Sequence, residues 1–203
     1  NSFFIGIVAT VIATSLGTLA ALGLSRPHMP FKGIIMAILI SPMIVPLIIT
    51  AAGMFFFYAR INLVYTFTGV ILAHVALATP FVVITVTATL VGFDMNMVKA
   101  AQSLGARPVK TFFRVIMPLI LPGVISGALF AFITSFDEVV IVMFMASLDQ
   151  LTIPKQMWAG IRQEISPVIL CMATCLVALS IFLLTTVELL RRRSERLRGI
   201  KPR

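Results

Sequence analysis

Charged residues are scarce in this sequence. They make up 11% of its 203 residues, where a soluble domain of this length carries about 25%. Acids are scarcest, with 7 Asp and Glu against 16 Lys and Arg, while 60% of the residues are hydrophobic and the mean hydropathy is +1.09. This composition excludes an ordinary soluble domain and predicts a chain that lies in a bilayer.

Several motifs that carry chemistry are also missing. The sequence contains no Gly-x4-Gly-Lys-Ser/Thr phosphate loop, no nucleophile elbow and no His-Glu-x2-His zinc motif. We therefore expect no enzyme activity and no cofactor in this chain, and a membrane-embedded enzyme is disfavoured. The two cysteines, Cys171 and Cys175, lie one helical turn apart in an apolar run, which indicates packing residues rather than a disulfide or a metal site.

What is present is a series of long apolar runs. Five of them are long enough to cross the ~30 Å hydrocarbon core as helices, which predicts an all-α membrane protein with spans at about 3–24, 33–58, 67–91, 116–145 and 167–190. Pro42 and Pro46 lie one turn apart in the second run and should kink or break it. Such a break either lines a cavity or is a packing kink.

The basic residues cluster at the ends of these runs. Counting alternate connections places 13 of the 16 bases on one side, including those of residues 94–118 and of the tail 191–203, and 3 on the other. By the positive-inside rule, residues 94–118 and the C-terminal tail are cytoplasmic, and residues 147–167 lie outside. A nucleic-acid partner is disfavoured, because the bases do not form a single binding face.

Residues 94–118 form a polar stretch between the third and fourth runs, with the signals of a helical hairpin. Asp94 can cap a first helix, Gly105 suits its end because glycine adopts positive φ freely, and Pro108 suits the first turn of a second helix.

One face of the first helix of this hairpin carries only small side chains, from Ala100 and Ala101, with Leu104 beside them. Lys99, Arg107 and Lys110 flank that face. A small-residue face lets another protein approach the backbone closely, so the hairpin is predicted to be a docking element.

The same residues carry a family resemblance. The chain resembles the permease subunits of binding-protein-dependent ABC importers, whose cytoplasmic loop reads Glu-Ala-Ala, three residues, Gly, nine residues, Ile-x-Leu-Pro. The positions that match here are Ala100, Ala101, Gly105, Val115, Met117 and Pro118. Lys99 departs from the pattern, since the family has glutamate there. Stretches such as Thr79–Val83 and Ser135–Val140 are most similar to the spermidine/putrescine branch.

The resemblance implies a single permease domain over 1–203, multi-pass in the bacterial inner membrane, with one further span upstream. It implies ATPase coupling by Lys99, Ala100, Ala101, Leu104, Gly105 and Pro118. The implied partners are a second permease, two ATPase subunits that bind ATP and magnesium, a periplasmic substrate-binding protein and membrane lipid. The implied substrate is a polyamine. Alternatives are another small solute, such as an amino acid derivative, and, with less support, a self-contained secondary transporter.

In the apolar runs, the largest free-energy cost of burial in the membrane falls on Asp137 and Glu138. We expect both on the fourth span, about two-thirds of the way outward. Charge at membrane depth costs ~3 kcal/mol or more, so it faces a wet cavity or a partner. We interpret Asp137 as a cation-attracting step of the translocation path, with a structural hydrogen bond as the alternative. Glu138 is the weaker candidate, since adjacent helical residues point about 100° apart.

Two further features have competing interpretations. His74 in the third run is interpreted as a hydrogen-bonded structural residue rather than a substrate ligand or proton relay, because no acid lies one turn away. Asp149, Trp158 and Glu164 make the outer segment a candidate contact for the binding protein. Anchoring of Trp158 at the membrane interface is an equal alternative.

Overall fold

The computed structural model describes residues 1–26, 29–91, 94, 96–163 and 167–197, and in these ranges every regular element is helical. Ten α-helices follow one another, in chain order α1 Ser2–Leu24, α2 Lys32–Ile44, α3 Leu47–Arg60, α4 Phe67–Val91, α5 Asn96–Ser103, α6 Pro108–Thr111, α7 Met117–Phe136, α8 Val140–Met145, α9 Ile153–Gln163 and α10 Pro167–Leu197. A π-helical turn, Phe112–Ile116, joins α6 to α7, and a 3₁₀ turn, Leu148–Gln150, precedes α9. The prediction of an all-α protein is confirmed.

The core is a tight bundle of α1, α4 and α7. Glycines make the close approach possible, because a Cβ at Gly17 of α1 would lie 2.6 Å from Val82 Cβ in α4. A Cβ at Gly127 of α7 would lie 2.5 Å from Thr85 Oγ1. Small residues at helix interfaces are how membrane helices gain packing energy, since lipid offers no hydrophobic driving force between them.

The second apolar run is broken, as its prolines predict. Helix α2 ends at Ile44, Val45 is extended, and α3 starts after Pro46 at an angle of 105° to α2. Pro42 lies inside α2 without ending it. The break falls at Pro46, where the missing N–H and the fixed φ suit the start of a new helix.

The expected fourth span, about 116–145, is wrong at both ends. The helical segment starts at Pro108 and ends at Phe136, a length of 29 residues that includes the π turn. It starts earlier because Pro108 occupies the first turn and the second arm of the hairpin continues directly into the span. It ends earlier because the chain leaves the helix at residues 137–139.

Among the described residues, three helical segments are individually long and apolar enough to cross a membrane: Ser2–Leu24, Phe67–Val91 and Pro108–Phe136. The bent α2–α3 pair would make a fourth. Helix α10 begins at Pro167 as expected, and its apolar part is Pro167–Leu183. The expected fifth span therefore stays a prediction. The basic tail is helical to Leu197, and its last residues lie outside the described part of the chain.

Candidate functional site

The hairpin has the capping that its sequence predicts. The Asp94 carboxylate accepts a hydrogen bond from the Asn96 N–H at 2.9 Å, and Pro108 occupies the first turn of α6. Gly105 has φ +78°, and the N–H groups of Gly105 and Ala106 donate to the carbonyls of Gln102 and Ala101, the paired bonds of a Schellman motif. The turn between the arms is therefore fixed by backbone geometry.

The turn side of this hairpin bears a shallow groove. Leu104 beside it is 89% exposed. The groove combines apolar walls with two cations, and its lining is Ala101, Leu104, Gly105, Ala106, Lys110, Thr111, Arg114 and Val115. Lys99 and Ala100 are exposed on α5 but do not line the groove, and Pro118 is exposed in the first turn of α7.

A Cβ at Gly105 has no atom of the described chain within 4 Å. Within this chain, the preference for glycine therefore comes from the positive φ, which costs other L-residues roughly 1–2 kcal/mol.

At the other end of the segment Pro108–Phe136, Asp137 and Glu138 lie in the short non-helical stretch 137–139. This corrects the expectation that both acids lie on the fourth span. Asp137 is the C-cap residue directly after α7, and Glu138 lies between α7 and α8. Asp137 is exposed, whereas Glu138 is 7% exposed. The two neighbouring acids therefore occupy different environments.

Glu138 and Lys155 hold the short helix α8 at its two ends. The Glu138 carboxylate accepts from the Ile141 N–H at 2.8 Å, while the Lys155 ammonium donates to the carbonyls of Val142 and Ala146 at 3.2 and 3.1 Å. This places an acid at the N-terminus and a base at the C-terminus, as the helix dipole favours.

Lys155 was missed by the sequence analysis, which counted it only as an outer base. Its partners are backbone carbonyls, and burial in this position lowers the pKa of its ammonium below the usual range. A weak signal exists in the sequence, because Lys155 belongs to the short amphipathic stretch that becomes α9.

His74 and Ser135 link α4 to the end of α7. His74 Nδ1 lies 2.8 Å from Ser135 Oγ, and both side chains are buried. The expected hydrogen bond of His74 is therefore present, and its purely structural role stays a prediction. Ser135 was not assigned a role, although it stands directly before the Phe-Asp-Glu segment.

The outer segment is tied to the start of the chain. Asn1 Nδ2 donates to the carbonyls of Asp149 and Leu151, and the Ile153 N–H donates to Ser2 Oγ at 2.8 Å. Trp158 is half-exposed, with the Arg162 guanidinium 5.5 Å from its ring centroid. Glu164, the third residue of the predicted contact, lies outside the described residues.

The two candidate regions lie at opposite ends of one helical segment. Pro108–Phe136 has 29 residues, so at 1.5 Å per residue the groove and the break are roughly 40 Å apart. This exceeds the ~30 Å hydrocarbon thickness of a bilayer. A single helical segment thus joins a basic surface at one end to an exposed carboxylate at the other.

Comparison with known proteins identifies the family of this chain. Residues 13–196 match the family model described as binding-protein-dependent transport system inner membrane component. The spermidine/putrescine transport system permease protein PotC of Haemophilus influenzae is 30% identical over 195 residues, which cover 96% of this chain and 76% of that protein. PotC of Escherichia coli K12 is 28% identical, with 95% and 73% covered.

A solved structure has the same fold. The crystal structure of an amino acid ABC transporter with histidines superposes with a TM-score of 0.68 and covers 95% of this chain and 90% of that chain. At 18% sequence identity, this likeness concerns the fold alone.

Proposed function

This chain belongs to the family of binding-protein-dependent transport system inner membrane components, and from that membership we propose that it is the permease of an ATP-driven polyamine importer. The chain is a transport subunit of the inner membrane rather than an enzyme. The proposal of spermidine or putrescine as substrate is supported by the similarity to the PotC proteins over most of both chains.

In this proposal the chain forms one half of the translocation path, and a second permease forms the other half. Two ATPase subunits bind ATP and magnesium, and one of them docks on the hairpin of this chain. The docking residues are Lys99, Ala100, Ala101, Leu104, Gly105 and Pro118. A periplasmic binding protein delivers the substrate to the outer side.

The observation that carries the proposal is the continuity between the hairpin and the fourth span. Because α6, the π turn and α7 form one helical segment, a movement imposed on the groove reaches Asp137 without crossing a flexible loop. Exposed Asp137 offers a negative charge to a cationic substrate, while buried Glu138 keeps the local backbone in place.

Co-purification with partners and transport tests this proposal. The chain is co-expressed with an ATPase subunit and a substrate-binding protein encoded in the same genome, and the complex is reconstituted in proteoliposomes. We expect the ATPase to co-purify and labelled spermidine or putrescine to accumulate only with ATP and the binding protein. Accumulation without ATP would favour a secondary transporter. ATP-dependent uptake of a different solute would overturn only the polyamine assignment.

A further inference from the structure

The charges of the hairpin are almost all of one sign. In the described residues of 94–118 there are four bases, Lys99, Arg107, Lys110 and Arg114, and one acid, Asp94, and all five are exposed. Asp94 offsets only one of the four positive charges, and its carboxylate is held at the start of α5 by the Asn96 N–H. The surface that meets a partner is therefore strongly positive.

Only two of these bases reach the groove. Lys110 and Arg114 line it together with apolar side chains that include Leu104 and Val115. They are four residues apart, so they project from neighbouring turns of the helical segment. Lys99 and Arg107 do not line the groove.

We infer that the groove receives an acidic side chain of the ATPase partner, which Lys110 and Arg114 hold together. This inference rests on the proposed function and deepens it by stating the chemistry of the docking contact. A concave site with an apolar wall and two cations fits a side chain with a hydrocarbon stem and a carboxylate end, and glutamate fits best. Arginine adds the planar, bidentate recognition of a carboxylate that lysine lacks.

The position of the charges also assigns unequal roles to the bases. A carboxylate inside the groove lies between two cations and is partly removed from water, so its attraction to Lys110 and Arg114 is screened less than its attraction to a base outside the groove. Lys99 is exposed on α5 outside the groove, so its contact with the partner stays open to water. Charge reversal at Lys99 should therefore be milder than reversal in the groove.

Binding of the ATPase to the permease in nanodiscs of neutral lipid, measured at 50–300 mM salt, tests the inference. For Lys110→Glu with Arg114→Glu we expect at least a tenfold increase in Kd near ~150 mM salt, where the Debye length is about 8 Å, and a weaker salt dependence. Replacing by lysine the acidic ATPase residue that enters the groove should restore affinity. The matched control is Arg26→Glu with Lys32→Glu, which changes the net charge equally at two exposed positions near the ends of α1 and α2 on the same predicted side. It should alter Kd less than threefold.

The remaining outcomes each count against the inference or against its premise. If both double variants raised Kd equally, the ATPase would be attracted by the overall positive charge of the chain, and the inferred contact in the groove would be overturned. Unchanged ATPase binding, with a loss of affinity only for vesicles containing phosphatidylglycerol, would assign the groove to anionic lipid headgroups. A wild-type chain that binds no ATPase at any salt concentration would overturn the proposed function itself. Circular dichroism and thermal unfolding in detergent confirm that each variant keeps its helices.

Discussion

Two adjacent carboxylates, Asp137 and Glu138, show how the local backbone determines the burial and the hydrogen bonding of a charged side chain. Glu138 is buried and accepts from the Ile141 N–H, so its charge has a structural partner. Asp137 is the C-cap residue after α7 and is exposed, which leaves its charge available to a solute. The two acids differ in burial because the helix is interrupted at residues 137–139, and not because they point to different sides of one helix.

We expect Asp137→Asn to reduce polyamine uptake by about fivefold at low substrate concentration, because an exposed carboxylate–ammonium contact is worth ~1 kcal/mol or less. Assembly of the complex and basal ATP hydrolysis should stay largely intact. Uptake of labelled spermidine into proteoliposomes measures this. Unchanged uptake would move Asp137 to a structural role.

Glu138→Gln is the matched comparison, because the Gln side-chain carbonyl can still accept from the Ile141 N–H. Its uptake should stay within twofold of wild type. The opposite pattern, with Glu138→Gln more damaging than Asp137→Asn, would reverse the roles assigned to the two acids.

Gly105 is a second residue whose backbone decides its role. Because φ is +78° and a Cβ would meet open space in this chain, Gly105→Val is strained by roughly 1–2 kcal/mol and should uncouple ATP hydrolysis from transport or detach the ATPase. The spans should remain folded. The ratio of ATP hydrolysed to substrate accumulated is the measurement.

Gly105→Asn separates backbone strain from contact with the partner. Asparagine adopts positive φ more readily than valine, so it should keep most of the coupling if strain is the cause. Loss of coupling in both variants would show that the ATPase itself needs the space at Gly105. Normal transport by Gly105→Val would contradict docking through this hairpin.

At the scale of elements, the contact between α4 and α7 depends on the absence of side chains. A Cβ at Gly127 would lie 3.0 Å from Val82 Cα, which is backbone and cannot move aside cheaply. We expect Gly127→Val to destabilise the chain by about 1–3 kcal/mol, the usual cost of overpacking.

Thermal unfolding in detergent measures this, with Gly53→Val as the control. Gly53 is exposed on α3 and a Cβ there meets no described atom within 4 Å. The control should unfold near the wild-type temperature. Equal losses at the two positions would mean that helix propensity, and not packing, explains the effect.

Hydropathy and capping signals predicted many elements but missed the junction between α7 and α8 at residues 137–139. Helices α1 and α4 lie at the expected places, because about twenty consecutive apolar residues leave few alternatives in a membrane. The caps at Asp94, Gly105 and Pro108 were predicted since each rests on local chemistry. The break at 137–139 was missed because its causes are not visible in hydropathy: Glu138 bonds an amide, and Lys155 bonds carbonyls thirteen and nine residues away.

For the whole molecule, the orientation in the membrane is predicted from the asymmetry of basic residues, thirteen against three. In a background with Cys171→Ala and Cys175→Ala, we expect Ser194→Cys to react with a membrane-impermeant maleimide only from the cytoplasmic side. Asp149→Cys, at an exposed position of the outer segment, should react only from outside. Reaction of Ser194→Cys in intact cells would overturn the topology.

The π turn between hairpin and span sets an angle as well as a connection. The Met117 N–H donates to the Phe112 carbonyl, five residues back, so this turn contains one residue more than an α-helical turn. Each residue of an α-helix advances by about 100° and 1.5 Å. Because the extra residue is taken up within this single turn, Lys110 and Asp137 keep nearly the relative azimuth that a wholly α-helical segment one residue shorter would give them. We therefore expect a deletion of one residue within 112–116 to leave the two ends nearly in phase, whereas a deletion of one residue in the regular part of α7 would rotate them by about 100° relative to each other.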